Sequence, residues 1–485
     1  MRTQTRTLHN FAGGEWREAA GVEHIDDRDP ATGETIARVP LSGAAEVDLA
    51  VRAAAAAQRE WREISPLERA RAVFALRDGL DARREDLARL ITADMGKTLD
   101  EARGEVARGL ESVEVACGAP TLMKGENLEG VAGGVDVEMV RQPVGVVAAI
   151  TPFNFPVMIP LWFLPFALAT GNALLLKPSE QDPLPSELIF EILAGIDAFP
   201  AGVANLVHGG RDAVEALLDH PGIDAVSFVG QASTAAIVAT RAARNGKRVQ
   251  ALGGAKNALV VMPDADPDVA VPGVIASAFG CAGQRCLAGS VAVLVGSEAE
   301  RERARRRLLD AAAGLVTGPG GDEATDVCPV VSPAARERVE AAIAQAEADG
   351  ARVLLDGRGD GGAGGAELRP TVLEAGDVEA QVTREELFGP VLTLIGVPDL
   401  DAAVDWINAG RYGNSALLFT SSGAVARDFR HRVEAGMLGV NVGVAAPVAW
   451  FPFAGWKDSF TGDLHANGAD AVEFYTRKKI VTSRW

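Results

Sequence analysis

Apolar residues along this chain fall into short, almost unbroken runs separated by longer stretches in which they recur every three or four positions. The runs at 144–150, 173–176, 203–207, 225–229 and 258–262 have the pattern of strands buried on both faces, and helix-length segments lie between them. That order predicts a parallel sheet covered by helices. A second alternation of the same kind occupies about 268–440, so the chain reads as two α/β domains with parallel or mixed sheets. Ahead of them, Ser65-Pro66-Leu67-Glu68 is a helix start, with serine at the cap, proline at the first helical position and glutamate closing a capping box. Leu67, Ala70, Phe74 and Leu80 follow at near-helical spacing, and Leu87, Leu90, Ile91 and Met95 mark a second helix, so the N-terminal third is expected to be mostly helical. Between 121 and 143 the pattern turns glycine-rich and alternating through Val131, Gly133, Gly134, Val135, Val137 and Met139, which predicts a hairpin projecting from the body.

Composition narrows the function. With 485 residues, 48% hydrophobic and 23% charged, the chain can bury enough apolar surface to offset its ordering entropy. Acidic residues outnumber basic ones 66 to 47, for a formal charge of −19. Most of this surface repels a phosphate backbone, so no nucleic-acid partner is expected, and an anionic substrate must be met by locally placed arginines. Cys117, Cys281, Cys286 and Cys328 form neither a disulfide framework nor a CxxC pair, which points to a reducing cytoplasm, and the N-terminus lacks the apolar run of a secretory signal. No charged residue lies between Arg141 and Lys177, a stretch long enough to span a bilayer. Pro143, Pro152, Pro156, Pro160 and Pro165, with Asn154 and Asn172, divide it into a strand, a turn and a short helix, so no membrane span is expected.

Three chemical motifs are weak. Gly357, Gly359 and Gly362 satisfy GxGxxG, but Pro370 and Thr371-Val372-Leu373 follow where a phosphate-binding helix would have to start. The tract is expected to be a surface turn. The six histidines make no HExxH or His-Cys cluster, so no metal site is expected, and there is no GxSxG elbow. Phe279-Gly-Cys-Ala-Gly-Gln-Arg-Cys286-Leu-Ala-Gly carries more chemistry. Small residues around Cys286 allow a substrate to approach, and Arg285 beside it would favour the thiolate. On these residues alone Cys286 is either a nucleophile or a buried small hydrophobe, and Cys281 is the structural cysteine.

Six segments in order, Pro152-Phe-Asn154-Phe-Pro156, Leu176-Lys177-Pro-Ser-Glu180, Ser227-Phe-Val-Gly230, Gly283-Gln-Arg-Cys286, Glu385-Glu386-Leu-Phe388-Gly-Pro390 and Pro452-Phe-Ala-Gly455-Trp-Lys457, resemble the aldehyde dehydrogenase superfamily along nearly the whole chain. The resemblance implies that Cys286 attacks the aldehyde carbonyl and that Asn154, with the Cys286 backbone N–H, forms the oxyanion hole. It implies an NAD site in which Lys177 and Glu180 hold the adenosine ribose, Gly230 opens a helix near the pyrophosphate, and Glu386 with Phe388 meets the nicotinamide ribose. Thr151, Phe153 and Leu252 lie on the same cofactor side. Glu180 would repel a 2′-phosphate, which favours NAD over NADP. Read from the residues alone, Glu180 and Glu386 could equally be solvated surface carboxylates.

One departure bears on the acceptor. About thirty-four residues before the nucleophile, hydrolytic members carry a glutamate that activates water; here the position is Leu252. Its loss resembles the methylmalonate-semialdehyde dehydrogenase branch, which resolves its acyl-enzyme with coenzyme A, as do 152–162, Gly254-Ala-Lys-Asn-Ala and the 474–485 end. That branch usually has asparagine at the Leu252 position and a proline-rich loop at 443–447. Arg108 and Arg285 resemble its two carboxylate-holding arginines, and each could instead be structural. The expectation is an NAD-dependent, CoA-acylating oxidation of methylmalonate or malonate semialdehyde, the alternative being a hydrolytic aldehyde dehydrogenase. The expected organisation is an NAD-binding domain (1–120 and 144–254), a catalytic domain (255–460) and an oligomerisation element (121–143 and 461–485), assembled as a homo-oligomer, dimer or tetramer.

Overall fold

The computed structural model describes residues 6–485. The first sheet is built on parallel strands β1 (Val146–Ile150), β2 (Ala173–Lys177), β3 (Ala204–Leu206), β4 (Ala225–Val229) and β5 (Arg248–Leu252), ordered β3-β2-β1-β4-β5. Every residue of β1, β2, β3 and β4 is buried, as mainly apolar strands covered by helices on both faces require. Antiparallel strands extend the sheet, Asn10–Ala12 beyond β3 and Phe460–Gly462 beyond β5. Three helices matter for the site: α1 (Leu99–Cys117), α2 (Met158–Ala169) and α3 (Ala232–Arg244). Between Arg141 and Lys177 the chain is the end of a strand, then β1, a turn, α2 and β2. Among the described residues no helix is long and apolar enough to cross a membrane.

The second sheet runs in the order Arg352–Leu355, Thr371–Glu374, Val391–Val397, Gly289–Val295, Asn257–Val261, Ser415–Phe419, Met437–Val440. Asn257–Val261 therefore opens this sheet instead of extending the first. The first is completed by β5, whose half-polar sequence Arg-Val-Gln-Ala-Leu hid it from a reading by apolar runs.

Other expectations need adjustment. Ser65 caps Pro66–Ala82 and forms the capping box with Glu68. That helix packs through Ala70, Val73, Leu76 and Leu80, however, and leaves Leu67 and Phe74 63% and 53% exposed. Residues 6–40 hold short strands rather than helices. The hairpin forms as Glu126–Ala132 and Val135–Pro143, and Thr476–Arg484 pairs antiparallel with its second strand. The rest of 461–485 differs from the expected division. Phe460–Gly462 joins the first sheet, and Gly468–Phe474 buries Ala471, Val472 and Phe474 in the first core. The 357–365 glycine tract is irregular chain followed by the strand Thr371–Glu374.

Candidate active site

The strand order places a crevice. Chain direction across the sheet reverses between β1 and β4, and at such a switch the loops leaving the carboxyl ends of neighbouring strands diverge. Thr151 to Asn154 follow β1, Lys177 ends β2, Gly230 follows β4, and Gly253 and Gly254 follow β5. Lys177 Nζ donates to Glu180 Oε2 at 2.9 Å. The Thr151 hydroxyl is buried with no partner among the described residues. The Gly230 N–H donates to the Leu252 carbonyl at 3.1 Å, which ties the two strand ends together at the start of α3. A Cβ on Gly230 would lie 2.6 Å from the Phe228 ring. The first turn of α3 has no side-chain cap, so its N–H groups are open toward an anion.

A cavity of about 260 Å³ lies against this edge, lined by Phe153, Asn154, Gly230, Gly254, Cys286, Glu386 and Phe388 among others. The Phe153 and Phe388 rings meet edge to face, 5.8 Å between centroids. Leu252 ends β5 between Val229 and Phe460, with its side chain in the first core; the neighbouring Gly253 and Gly254 line the cavity in its place.

Cys286 arrives on a loop of unusual backbone. Cys281, Ala282 and Gly283 all have positive φ, at 50°, 52° and 68°. At Gly283 a Cβ would sit 2.1 Å from the Gly389 carbonyl oxygen, so only glycine lets this loop close on the Glu386–Phe388 segment. The Cys286 carbonyl accepts from the side-chain amides of Asn257 and Asn414, each at 2.8 Å. Asn154 Nδ2 donates to the Gln284 carbonyl at 2.9 Å, which aims its amide nitrogen at the nucleophile loop and leaves its second N–H available. Asn257, Asn414 and Gln284 were not singled out in the sequence. Asn257 stands in the Gly254-Ala-Lys-Asn-Ala segment, yet nothing local to a lone asparagine tells which distant carbonyl it will meet.

On the other side of Cys286 is a second cavity, of about 310 Å³, lined by Arg108, Phe155, Trp162, Arg285 and Phe453 among others. Among the described residues Cys286 alone lines both cavities. Both arginines reach this second cavity, and both are already engaged. Arg108 pairs with Glu111 at 2.7 Å and donates to the Pro447 carbonyl at 2.6 Å. Arg285 donates to the carbonyls of Ala276 and Ser277, while its Nε is buried without a partner among the described residues.

Burial pushes the Cys286 thiol up to about 12, with the Glu386 carboxylate adding to the rise and Arg285 opposing it. Burial also lifts Glu386 to about 7, against the Ala255 N–H, Lys256 and Arg338. Lys256 is lowered by burial to about 8. A signed expectation follows. Glu386 in its ionised form disfavours the thiolate, so Glu386→Gln should move the rise of Cys286 alkylation with pH to lower pH. Iodoacetamide rates across pH, read on the Cys286 peptide by mass spectrometry, check this; a shift to higher pH would refute it.

The sequence model of the aldehyde dehydrogenase family matches residues 16–481. Malonate-semialdehyde dehydrogenase 1 of Geobacillus kaustophilus is 47% identical, the match covering 100% of this chain and 99% of that protein. Methylmalonate-semialdehyde dehydrogenase from Oceanimonas doudoroffii, a solved structure, superposes with a TM-score of 0.95 at 42% identity, over 99% of this chain and 98% of that one. A Sinorhizobium meliloti protein solved in complex with NAD gives a TM-score of 0.96 at 40% identity, over 100% of this chain and 99% of that one. A switch-point crevice and a cysteine shared by two cavities thus occur in a chain that matches this family from end to end: it belongs to the aldehyde dehydrogenase family.

Proposed function

We propose that this protein is an NAD-dependent, CoA-acylating dehydrogenase of malonate or methylmalonate semialdehyde. The observation that carries the reading is the position of Cys286 where the two cavities meet, one at the carboxyl edge of a parallel sheet and the other holding two arginines. The residues at the sheet edge suit a dinucleotide. Lys177 and Glu180 offer a donor and an acceptor to ribose hydroxyls, Thr151 has a buried hydroxyl with no partner among the described residues, and Gly230 leaves the α3 N-terminus accessible to a pyrophosphate. Glu386 and Phe388 lie nearer Cys286, on the nicotinamide side. Leu252 keeps its side chain in the core, and Gly253 and Gly254 beside it reach the cavity. Bound in that crevice, NAD supplies a hydride acceptor.

The Cys286 sulfur adds to the aldehyde carbonyl, and the free Asn154 N–H with the Cys286 backbone N–H stabilises the alkoxide that forms. The oxidised product remains on Cys286 as a thioester, and the thiol of coenzyme A, the second substrate, takes it over. For a malonate-type substrate the carboxylate leaves as CO2, giving acetyl-CoA, or propionyl-CoA from the methyl derivative. The hairpin and Thr476–Arg484 present exposed Leu128, Val131 and Ile480 on strand edges, with exposed Trp485 just beyond, which suits pairing between subunits of a cytoplasmic dimer or tetramer. Assays of both semialdehydes with NAD, with and without CoA, test the function; acyl-CoA formation is expected, and free acid as sole product would refute it.

The arginines decide substrate choice in this reading. Arg108→Leu and Arg285→Leu should each weaken use of the carboxylated semialdehyde, by roughly 10-fold or more in kcat/KM at about 1.5–3 kcal/mol for a charged hydrogen bond, and leave propanal far less affected. The partners already held by both side chains mean that a substrate carboxylate has to add to these contacts or displace them. Equal losses on the two substrates would show that the arginines only support the loops.

A further inference from the structure

Helix α1 grips both segments that carry the reacting groups. Glu105 is buried, and its Oε1 accepts the backbone N–H groups of Val157 at 2.9 Å and Met158 at 3.1 Å. Its other oxygen, Oε2, accepts from Lys97 Nζ at 2.6 Å. Val157 and Met158 open α2, a helix without a side-chain cap of its own, and the chain running into it is Asn154-Phe155-Pro156. Lys97 is fully buried, and its ammonium lies 3.7 Å from the centroid of the Phe155 ring. The pair therefore holds the Asn154 segment at two points. One turn earlier on α1, Glu101 Oε1 accepts the N–H of Cys281 at 2.6 Å, at the start of the nucleophile loop. A buried ion pair is a poor source of stability, because desolvation offsets most of its attraction, so stability alone does not account for this one.

We propose that Glu105, oriented by Lys97, is a positioning residue for the oxyanion-hole amide: by fixing the start of α2 it sets where Asn154 Nδ2 stands relative to Cys286. This rests on the reading of Asn154 as the oxyanion donor. The chemistry of the pair makes the claim specific. A carboxylate has two acceptor oxygens, one for the ammonium and one for the two N–H groups, whereas an amide has one. In Glu105→Gln the oxygen turns to the buried ammonium and the amide nitrogen faces two donors, so the start of α2 shifts. Adding Lys97→Met frees that oxygen to return to Val157 and Met158, so the second substitution restores what the first removed.

The readout is the rate of the first NADH formed per enzyme, together with the alkylation rate of Cys286 by iodoacetamide, which needs no oxyanion hole. Asn154→Ala comes first, with a loss of about 10²-fold or more expected for one oxyanion donor. If that variant keeps the native rate, the Asn154 reading fails, and this inference fails with it for a reason the experiment identifies. Glu105→Gln should lose roughly 10- to 100-fold, the scale of a reacting group displaced by about 1 Å. Lys97→Met with Glu105→Gln should recover to within several-fold of native, and alkylation should stay within about twofold throughout. In the Asn154→Ala background the two Glu105 variants should differ by less than about twofold, since coupled residues are non-additive. If Glu105→Gln does not fold, Lys97→Met/Glu105→Leu replaces it against Lys97→Met/Glu105→Gln, differing only in the acceptor. Absence of rescue, or a gap that persists without Asn154, would overturn the proposal.

Discussion

Cys286→Ala should reduce NADH formation from any aldehyde to background, a loss of roughly 10⁴-fold or more, because no covalent adduct can form without the sulfur. NAD binding should survive. Of the groups assigned to the dinucleotide, Thr151, Lys177, Glu180 and Gly230 stand at or just past strand ends of the first sheet, and Glu386 and Phe388 lie just ahead of the strand Val391–Val397, so removing one thiol leaves their supports in place. Cys281→Ala should be mild, since the contact that Cys281 makes to Glu101 uses its backbone N–H, which alanine retains. Ionisation does not single out the nucleophile. Burial pushes the thiols of Cys117, Cys281 and Cys286 alike up to about 12. Location does, because Cys117, Cys281 and Cys328 are buried whereas Cys286 is partly open at the junction of the cavities. NADH absorbance and quenching of protein fluorescence by NAD check both halves. Turnover retained by Cys286→Ala and lost by Cys281→Ala would reverse the assignment.

How far the sequence could be read depends on whether a signal is local. Four mainly apolar runs became β1 to β4 because a strand covered on both faces favours apolar residues, and the polar ones inside them, Asn205 and Ser227, are buried with hydrogen-bond partners. Ser65 was legible because its capping partner Glu68 is three residues away. β5 was missed because Arg248 and Gln250 are spent on contacts set elsewhere in the fold: Arg248 holds carbonyls of 473–476, and Gln250 bonds the Ser227 hydroxyl. The short strands of 6–40 include His24–Arg28, nearly all polar, whose pairing with Thr35–Pro40 supplies the order that its composition does not. The site shows the same division. Cys286, Asn154, Gly230 and Glu386 were found through motifs, and the structure gathers them around one cavity. Glu101, Glu105, Asn257 and Asn414 act on backbone atoms tens to hundreds of residues away, and Lys97 meets the Glu105 carboxylate and the Phe155 ring; no spacing in the chain announces these contacts.

CoA, not water, should complete the reaction. Water attacks a thioester slowly near neutral pH unless a positioned base takes its proton, a contribution of about 10²–10⁴-fold. Leu252, in the place where hydrolytic relatives would carry that base, is a buried apolar side chain packed in the first core between Val229 and Phe460. It can take no proton. Glu386 is a poor substitute, because its Oε1 is held by the Ala255 N–H and it is assigned to the ribose. A thiol needs less help: it is intrinsically more nucleophilic, and a solvated one is appreciably ionised near pH 7. Without CoA, mixing enzyme, NAD and semialdehyde should therefore give one equivalent of NADH in a burst, then slow turnover that rises when CoA is added. Leu252→Glu should raise CoA-independent release of free acid and lower the melting temperature, since it places a carboxylate among apolar neighbours with no partner provided. Rapid steady turnover of the native protein to free acid, indifferent to CoA, would favour the hydrolytic alternative and require a base that acts from a residue other than Leu252.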